Sequence, residues 1–359
     1  VSEQVEAAAA RARKLRMALV GCGRISASHF DSLQALSDRV ELVDVCDIDR
    51  TALDKAVQRT GARGHDSIES LLAHSSAEVV ALATPSGLHP AQAMLVAKSG
   101  RHVVTEKPMA TNMADARAMI AACEEAKVRL FVVKQNRLNA TIQRLRAAID
   151  RGRFGRIYAV SCNVFWTRPQ NYYDAAAWRG TWALDGGAFM NQASHYVDLL
   201  VWLFGPIERL SAYTATQARR IEAEDGGVVA IRWRNGAMGT MNVSMLTYPE
   251  NLEGSITVLG ERGTARVGGM ALNELQVWKF ADAEEGDADA ASASSYKIAS
   301  VYGKGHLPYY QNVVDVLTTG AKPISDGREG LRSLEALVAI YESARANGQA
   351  VSFPLQGWM

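Results

Sequence analysis

Along the first 135 positions, short apolar runs alternate with segments of helical period, a pattern that predicts a parallel sheet with crossover helices. The runs at 16–20, 41–46, 79–83, 102–105 and 130–133 are nearly all apolar, as strands covered on both faces must be. Between them, residues 89–98 stop at Gly100 and residues 112–126 start on the cap Asn112, so both stretches carry helix start and stop chemistry. Beyond residue 136 the pattern changes. Helical stretches at 140–150 and 187–204 flank longer alternating runs at 156–165, 227–234 and 236–244, and Asn235-Gly236 predicts a hairpin through the positive φ angles of a tight turn. Residues 282–295 are acidic and rich in Ala and Ser, and predict a mobile loop. The fold class is α/β: a tail at 1–14, a parallel-sheet domain at 15–135, and an α+β domain at 136–359 with a mostly antiparallel, open sheet.

A chain of 359 residues suits two domains. Lys+Arg 39 against Asp+Glu 38 gives a net charge of +1, which argues against a polyanion-binding surface, so no nucleic-acid partner is expected. No apolar run is long enough to cross a bilayer, and no membrane partner is expected. The cysteines Cys22, Cys46, Cys123 and Cys162 form no CxxC pair, so no zinc ribbon or disulfide framework is predicted, no metal is called, and a reducing cytoplasm fits. Residues 1–16 are rich in Ala, Arg and Glu, and the apolar stretch at 17–20 is too short for a signal-peptide core.

Gly21-Cys-Gly23-Arg24-Ile25-Ser26 follows the first strand and opens a helix, where backbone N–H groups can approach a pyrophosphate; Ser26 stands in the third glycine position. The second strand ends at Asp47, at the offset where a carboxylate accepts from ribose hydroxyls and repels a 2′-phosphate, favouring NAD over NADP; capping of the next helix is the plainer role. Thr84-Pro85-Ser86 with His89, and Glu106-Lys107-Pro108, emerge at the carboxyl ends of strands, where open α/β sheets bind ligands. Lys107 there can hold a substrate hydroxyl and favour its alkoxide, or simply pair with Glu106. Asn191 and His195 are four apart and so share one face of a helix; His195 suits removal of a hydroxyl proton near neutral pH, or is a structural histidine.

The Gly21–Ser26 loop, Glu106-Lys107-Pro108 and Asn191-Gln192-Ala-Ser-His195, in that order, resemble the Gfo/Idh/MocA oxidoreductase family over nearly the whole chain. The resemblance implies an N-terminal Rossmann domain, a C-terminal domain whose open sheet mediates oligomers, and catalytic Lys107 and His195. Many members carry Asp where this chain has Asn191, and Asn cannot raise the pKa of His195 electrostatically. A narrower resemblance rests on 133–137, 165–173, 178–187 and 245–254. These segments are similar to the bacterial UDP-N-acetylglucosaminuronate 3-dehydrogenases of O-antigen synthesis (WlbA type).

The resemblance places Gly21, Gly23, Arg24, Ile25, Asp47, Thr84, Pro85, Ser86, His89, Glu106, Lys107 and Gln135 at NAD. It places Lys107, Lys134, Arg137, Arg168, Tyr172, Arg179, Asn191, Gln192, His195, Tyr248 and Tyr309 at a UDP-sugar. Arginine forks and aromatic rings suit such a ligand, although Trp166, Trp178 and Trp182 each suit a core or interface equally. The expected activity is NAD-dependent oxidation of a sugar C3 hydroxyl by a cytoplasmic homo-oligomer, a tetramer first, since an open sheet needs a cover. The alternatives are a free-sugar or inositol dehydrogenase and a non-catalytic NAD sensor.

Overall fold

The computed structural model describes residues 13–297 and 303–355; of the expected tail, residues 1–12 lie outside them. Strands β1 (Leu15–Val20), β2 (Val40–Cys46), β3 (Arg63–His65), β4 (Val79–Leu82), β5 (His102–Thr105) and β6 (Leu130–Val132) form one sheet in the order β3-β2-β1-β4-β5-β6. Every pair is parallel, which is the Rossmann order with its reversal between β1 and β4. Helices α1 (Ser26–Ala35), α2 (Arg50–Thr60), α3 (Ile68–His74), α4 (His89–Lys98) and α5 (Met113–Glu125) are the crossovers. Met17, Leu19, Val79, Val80, Val103 and Val104 are fully buried between them, which is why these strands read as unbroken apolar runs. Strand β3 escaped the sequence pattern because Arg63 and Gly64 are exposed at the sheet edge.

The second half contains α6 (Ala140–Asp150), β7 (Ile157–Phe165), α7 (Gln170–Asp174), α8 (Ser194–Phe204), β8 (Ile207–Ala215), β9 (Gly226–Trp233), β10 (Met238–Ser244), β11 (Glu253–Gly260), β12 (Gly263–Gly268) and β13 (Glu274–Phe280). It closes with α9 (Ala290–Ser294), α10 (His306–Thr319), α11 (Gly327–Arg345) and β14 (Val351–Ser352). Its eight strands run β13-β12-β11-β7-β10-β9-β8-β14, antiparallel except for β7 with β10. Val160, Cys162, Val164, Met241, Val243, Ile256 and Val258 face a core shared with Leu199, Leu203, Leu337 and Ile340 of α8 and α11. The opposite face leaves Tyr213, Val228, Met238 and Leu259 exposed.

Three local expectations are corrected. In the β9–β10 hairpin only Gly236 takes a positive φ (+90°), while Trp233 exchanges backbone hydrogen bonds with Gly236 and Ala237, so the turn is a three-residue loop closed by a left-handed glycine. The helix expected at 187–204 starts at Ser194. Ahead of it the buried Glu224 carboxylate accepts the Phe189 amide at 2.9 Å and its carbonyl accepts the Ala188 amide, while Asn191 and Ala193 donate to Gly187 and Ala188, so 187–193 closes as turns. The acidic segment 282–295 is tied down: Arg153 forks onto Asp287 at 2.7 and 2.8 Å, the Trp278 indole donates to Asp287, and 290–294 is helical.

Two contacts join the halves beside the site. Helix α10 returns to the first sheet, where Tyr309, Tyr310, Val313 and Val314 pack with Leu19, Phe30, Val104 and Phe131. The 3-10 turn Ser86–Leu88 docks on the loop 181–184, with the Gly87 amide donating to the Leu184 carbonyl at 3.0 Å.

Candidate active site

A cleft of about 620 Å³ lies along the carboxyl ends of β1, β2, β4 and β5 and is closed on the far side by residues of the second half. At its floor Gly21 has φ +95°, and a Cβ there would sit 2.7 Å from the Ala83 carbonyl, so the turn requires glycine. Around Gly23 a Cβ would meet nothing within 4 Å, which leaves the backbone open to a ligand at the start of α1. Ser26 fits the third glycine position because its hydroxyl turns back to the Gly23 carbonyl at 2.6 Å. Arg24, Ile25, Thr84, Pro85 and Ser86 line the same cleft.

Asp47 lines it too, and its two oxygens accept the Cys22 amide at 2.6 Å and the Asp49 amide at 2.8 Å. Capping of α2 falls instead to Asp49, which accepts from Thr51 and Ala52. The Asp47 carboxylate therefore ties β2 to the glycine loop and keeps further lone pairs free to accept. His89, expected beside the cofactor, is not among the residues that line the cleft. The ring is buried, with its nitrogens 2.9 Å from the carbonyls of Thr84 and Pro108, and so spaces the two ligand-bearing loops.

Glu106 is held from three sides. His29 and His306 reach its Oε1 at 3.1 and 3.2 Å, and the Lys107 amide donates to Oε2 at 3.1 Å. Burial opposes charge on Glu106, but the two imidazoles outweigh it and hold the carboxyl well below its usual range. These three residues bring metal-type ligand atoms within 4.8 Å of one another, yet hydrogen bonding to one shared oxygen already accounts for the arrangement. Lys107 follows on the same loop, its ammonium donating to the Asn191 carbonyl at 3.0 Å. Burial lowers the Lys107 pKa, while Glu106 and Asp185 pull it back up.

His195 sits in the first turn of α8, 7% exposed. Burial, then the Lys107 charge, drives its pKa well below 6.5, and a helix N-terminus acts in the same direction. The Gln135 side-chain amide lies 3.4 Å from its Nε2. Asn191 lines the cleft from the turn before α8, not from the helix itself, and gives its side-chain amide to Asp185.

The expected sugar-site cations divide. Arg179 lines the cleft, 4.4 Å over the Tyr172 ring, and its buried Nε has no partner among the described residues. The Arg168 guanidinium lies 5.4 Å from the centroid of the same ring, and Arg168 is not among the lining residues. Lys134 and Arg137 are not cleft donors. Both are buried on Asp198, which Arg137 grips through two bonds of 2.8 Å, and Lys134 also donates to Ser333. Burial alone would raise the Asp198 carboxyl, but the two cations bring it to about 2, so this pair joins the 135–138 turn to α8 and α11.

Gln192 is buried outside the lining, Tyr248 is 93% exposed and away from the cleft, and Tyr309 is buried with a hydroxyl that no described residue bonds. Of the tryptophans, Trp178 lines the cleft, Trp166 is core and Trp182 is partly exposed. Sequence reasoning missed Asp185, Leu184 and Ile48 as lining residues, and missed His29 and His306 behind Glu106. Only Asp185 carried a signal, as a carboxylate directly before a Gly-Gly pair.

Residues 15–134 match the NAD-binding Rossmann fold of an oxidoreductase family, Gfo/Idh/MocA, and residues 146–353 match its C-terminal alpha/beta domain. The chain belongs to the Gfo/Idh/MocA family. Among solved structures, the WlbA dehydrogenase of Bordetella pertussis in complex with NADH and UDP-GlcNAcA is 60% identical, covering 96% of this chain and 99% of that one with a TM-score of 0.93. The WlbA dehydrogenase of Chromobacterium violaceum, with the same two ligands, is 58% identical over 96% and 97%, with a TM-score of 0.91. A D-apiose dehydrogenase of Paraburkholderia graminis is 27% identical over 96% of this chain and 91% of its own. The open backbone at Gly23, the Asp47 carboxylate at the end of β2 and the unpartnered Gln135 Oε1 form a donor and acceptor set that fits a dinucleotide of the family.

Proposed function

We propose that the protein oxidises the C3 hydroxyl of UDP-N-acetylglucosaminuronate to the 3-keto sugar with NAD as oxidant. The observation that carries the reading is the likeness, near 60% identity over the whole of both chains, to two dehydrogenases bound to NADH and that sugar nucleotide. Residues 15–135 bind the dinucleotide and residues 136–359 the sugar nucleotide.

NAD supplies the hydride acceptor. The neutral His195 takes the C3 hydroxyl proton on its unprotonated ring nitrogen, with the Gln135 side chain beside the ring. Lys107, with its ammonium in the cleft, stabilises the charge that develops on the C3 oxygen. Asn191 orients the sugar, Arg179 with its free Nε meets an anionic group of the substrate, and the Tyr172 and Trp178 rings offer flat faces to uracil or sugar. The enzyme acts as a cytoplasmic homo-oligomer, a tetramer, in the synthesis of diacetylated mannuronic-acid sugars of O-antigen.

Kinetics on two substrates test this. One charged hydrogen bond contributes about 1.5 to 3 kcal/mol, so kcat/KM for UDP-N-acetylglucosaminuronate should exceed that for UDP-N-acetylglucosamine by roughly ten- to a hundredfold. Equal values would remove the uronate from the reading, and faster turnover of a free sugar than of either UDP-sugar would replace it with a simple sugar dehydrogenase.

A further inference from the structure

We propose that Asp185 is a positioning residue of this active site, fixing which end of the Asn191 carboxamide meets the substrate and supplying the negative charge that faces the Lys107 ammonium. The inference deepens the function proposed above and rests on it. Asp185 ends the turn 181–185 and is 1% exposed, yet it lines the cleft with Lys107 and Asn191. Its Oδ2 accepts the Gly180 amide at 2.7 Å and its Oδ1 accepts the Asn191 side-chain amide. A carboxylate only accepts. Asn191 must therefore turn its NH2 toward Asp185 and leave its oxygen for the cleft.

The charged and titratable groups facing Asp185 are Lys107 from the β5 loop, Arg179 from the segment after α7, Tyr173 on α7 and Glu224 ahead of β9. Burial raises the Asp185 carboxyl to about 6, against the Gly180 and Asn191 bonds and the charges of Lys107 and Arg179. Glu106, the other carboxylate beside Lys107, is already engaged by His29 and His306, so Asp185 is the acid that can gain or lose its charge in the working pH range. A residue needed only to satisfy the Gly180 amide would not have to be ionisable, and an ionised group at this depth is costly unless its charge is used.

The test compares the native chain with Asp185→Asn, Asn191→Asp and the double variant carrying both changes. In Asp185→Asn the new amide presents a donor to Asn191, which turns over and offers its NH2 to the cleft. Turnover of the UDP-sugar should then fall by roughly ten- to a hundredfold, the loss of one charged hydrogen bond. The fall of kcat/KM below about pH 6, where Asp185 takes up its proton, should disappear with it. Asn191→Asp alone sets two carboxylates against each other and should move that fall to higher pH. The double variant rebuilds one carboxylate and one amide in reversed order and should recover most of the loss.

A second measurement needs no substrate. Labelling of Lys107 by an amine-directed reagent, read by mass spectrometry across pH, should shift its midpoint to lower pH in Asp185→Asn and return in the double variant. An unshifted Lys107 midpoint in a folded Asp185→Asn chain overturns the proposal, as does a double variant no more active than the single one. If Asp185→Asn does not fold, the double variant decides alone: a native-like Lys107 midpoint supports the proposal and a lowered one overturns it. A native chain that leaves the UDP-sugar untouched defeats the proposed function, while the labelling midpoints still judge Asp185.

Discussion

The proposed base His195 is kept neutral because burial, the Lys107 charge and the start of α8 outweigh Glu106 and Asp198, which favour imidazolium. Burial lowers the Lys107 pKa, and the Glu106 and Asp185 carboxylates oppose that loss of charge. His195→Ala and Lys107→Ala should each lower kcat by on the order of a hundredfold or more, with NAD affinity preserved in a fluorescence titration. Near-native kcat in either variant would end its proposed role. Glu224 provides a stability test of the same physics. Burial raises its carboxyl to about 7, so the folded state holds a proton that the unfolded chain releases near pH 4.5. Its contribution is therefore full below pH 4.5 and is lost as pH rises through 7. Glu224→Gln keeps an acceptor for the Phe189 amide and the Tyr341 hydroxyl and needs no charge. Its Tm should exceed that of the native chain at pH 8, and the gain should vanish at pH 4.5.

The end of β2 and the turn after β4 decide what the cleft accepts. Asp47 at the first position repels a 2′-phosphate, so kcat/KM should favour NAD over NADP, and Asp47→Ser should narrow the gap. A native preference for NADP would refute the assignment. At the second position, a Cβ on Gly87 would lie 1.9 Å from the Ala183 carbonyl, where backbone meets backbone and neither can yield cheaply. Gly87→Ala should spread the 86–88 turn from the 181–184 loop and carry Asp185 and Asn191 away from Lys107. We expect KM to rise and Tm to drop, with the isolated cofactor affinity changed far less. Unchanged kinetics would show that this docking does not set the cleft.

In the whole molecule, one face of the eight-stranded sheet packs on α8 and α11, while the other carries Tyr213, Val228, Met238 and Leu259 in the open. Apolar side chains on the neighbouring strands β8, β9 and β10, with Leu259 on β11 beyond β7, make a patch of the kind that association covers. If identical chains pair through it, the double variant Tyr213→Lys with Met238→Lys should reduce the mass seen by light scattering toward that of a single chain. The reach of α10 into the first sheet matters at this level too. It brings His306 to Glu106 from some two hundred residues away, so folding of the second half is coupled to the loop that carries Lys107.

The alternation of apolar runs and helical periods was enough to reveal the parallel sheet, since strands buried on both faces must be apolar throughout, and chain order set the glycine loop, Asp47 and Lys107 at strand ends, where they line the cleft. What it could not reveal depended on distance in sequence. Lys134 and Arg137 read as cleft donors because nothing local marks a cation as spoken for, and only packing put Asp198 against them. Asp185 passed unremarked because its meaning lies in Gly180, Asn191 and Lys107 around it, and Asn191 was assigned to a helix that Glu224, brought up from another segment, replaces with a turn. Hydrophobic periodicity is a property of a segment and survives in one dimension. The charge state and orientation of a buried polar group are properties of its neighbours, and those are chosen only when the chain closes on itself.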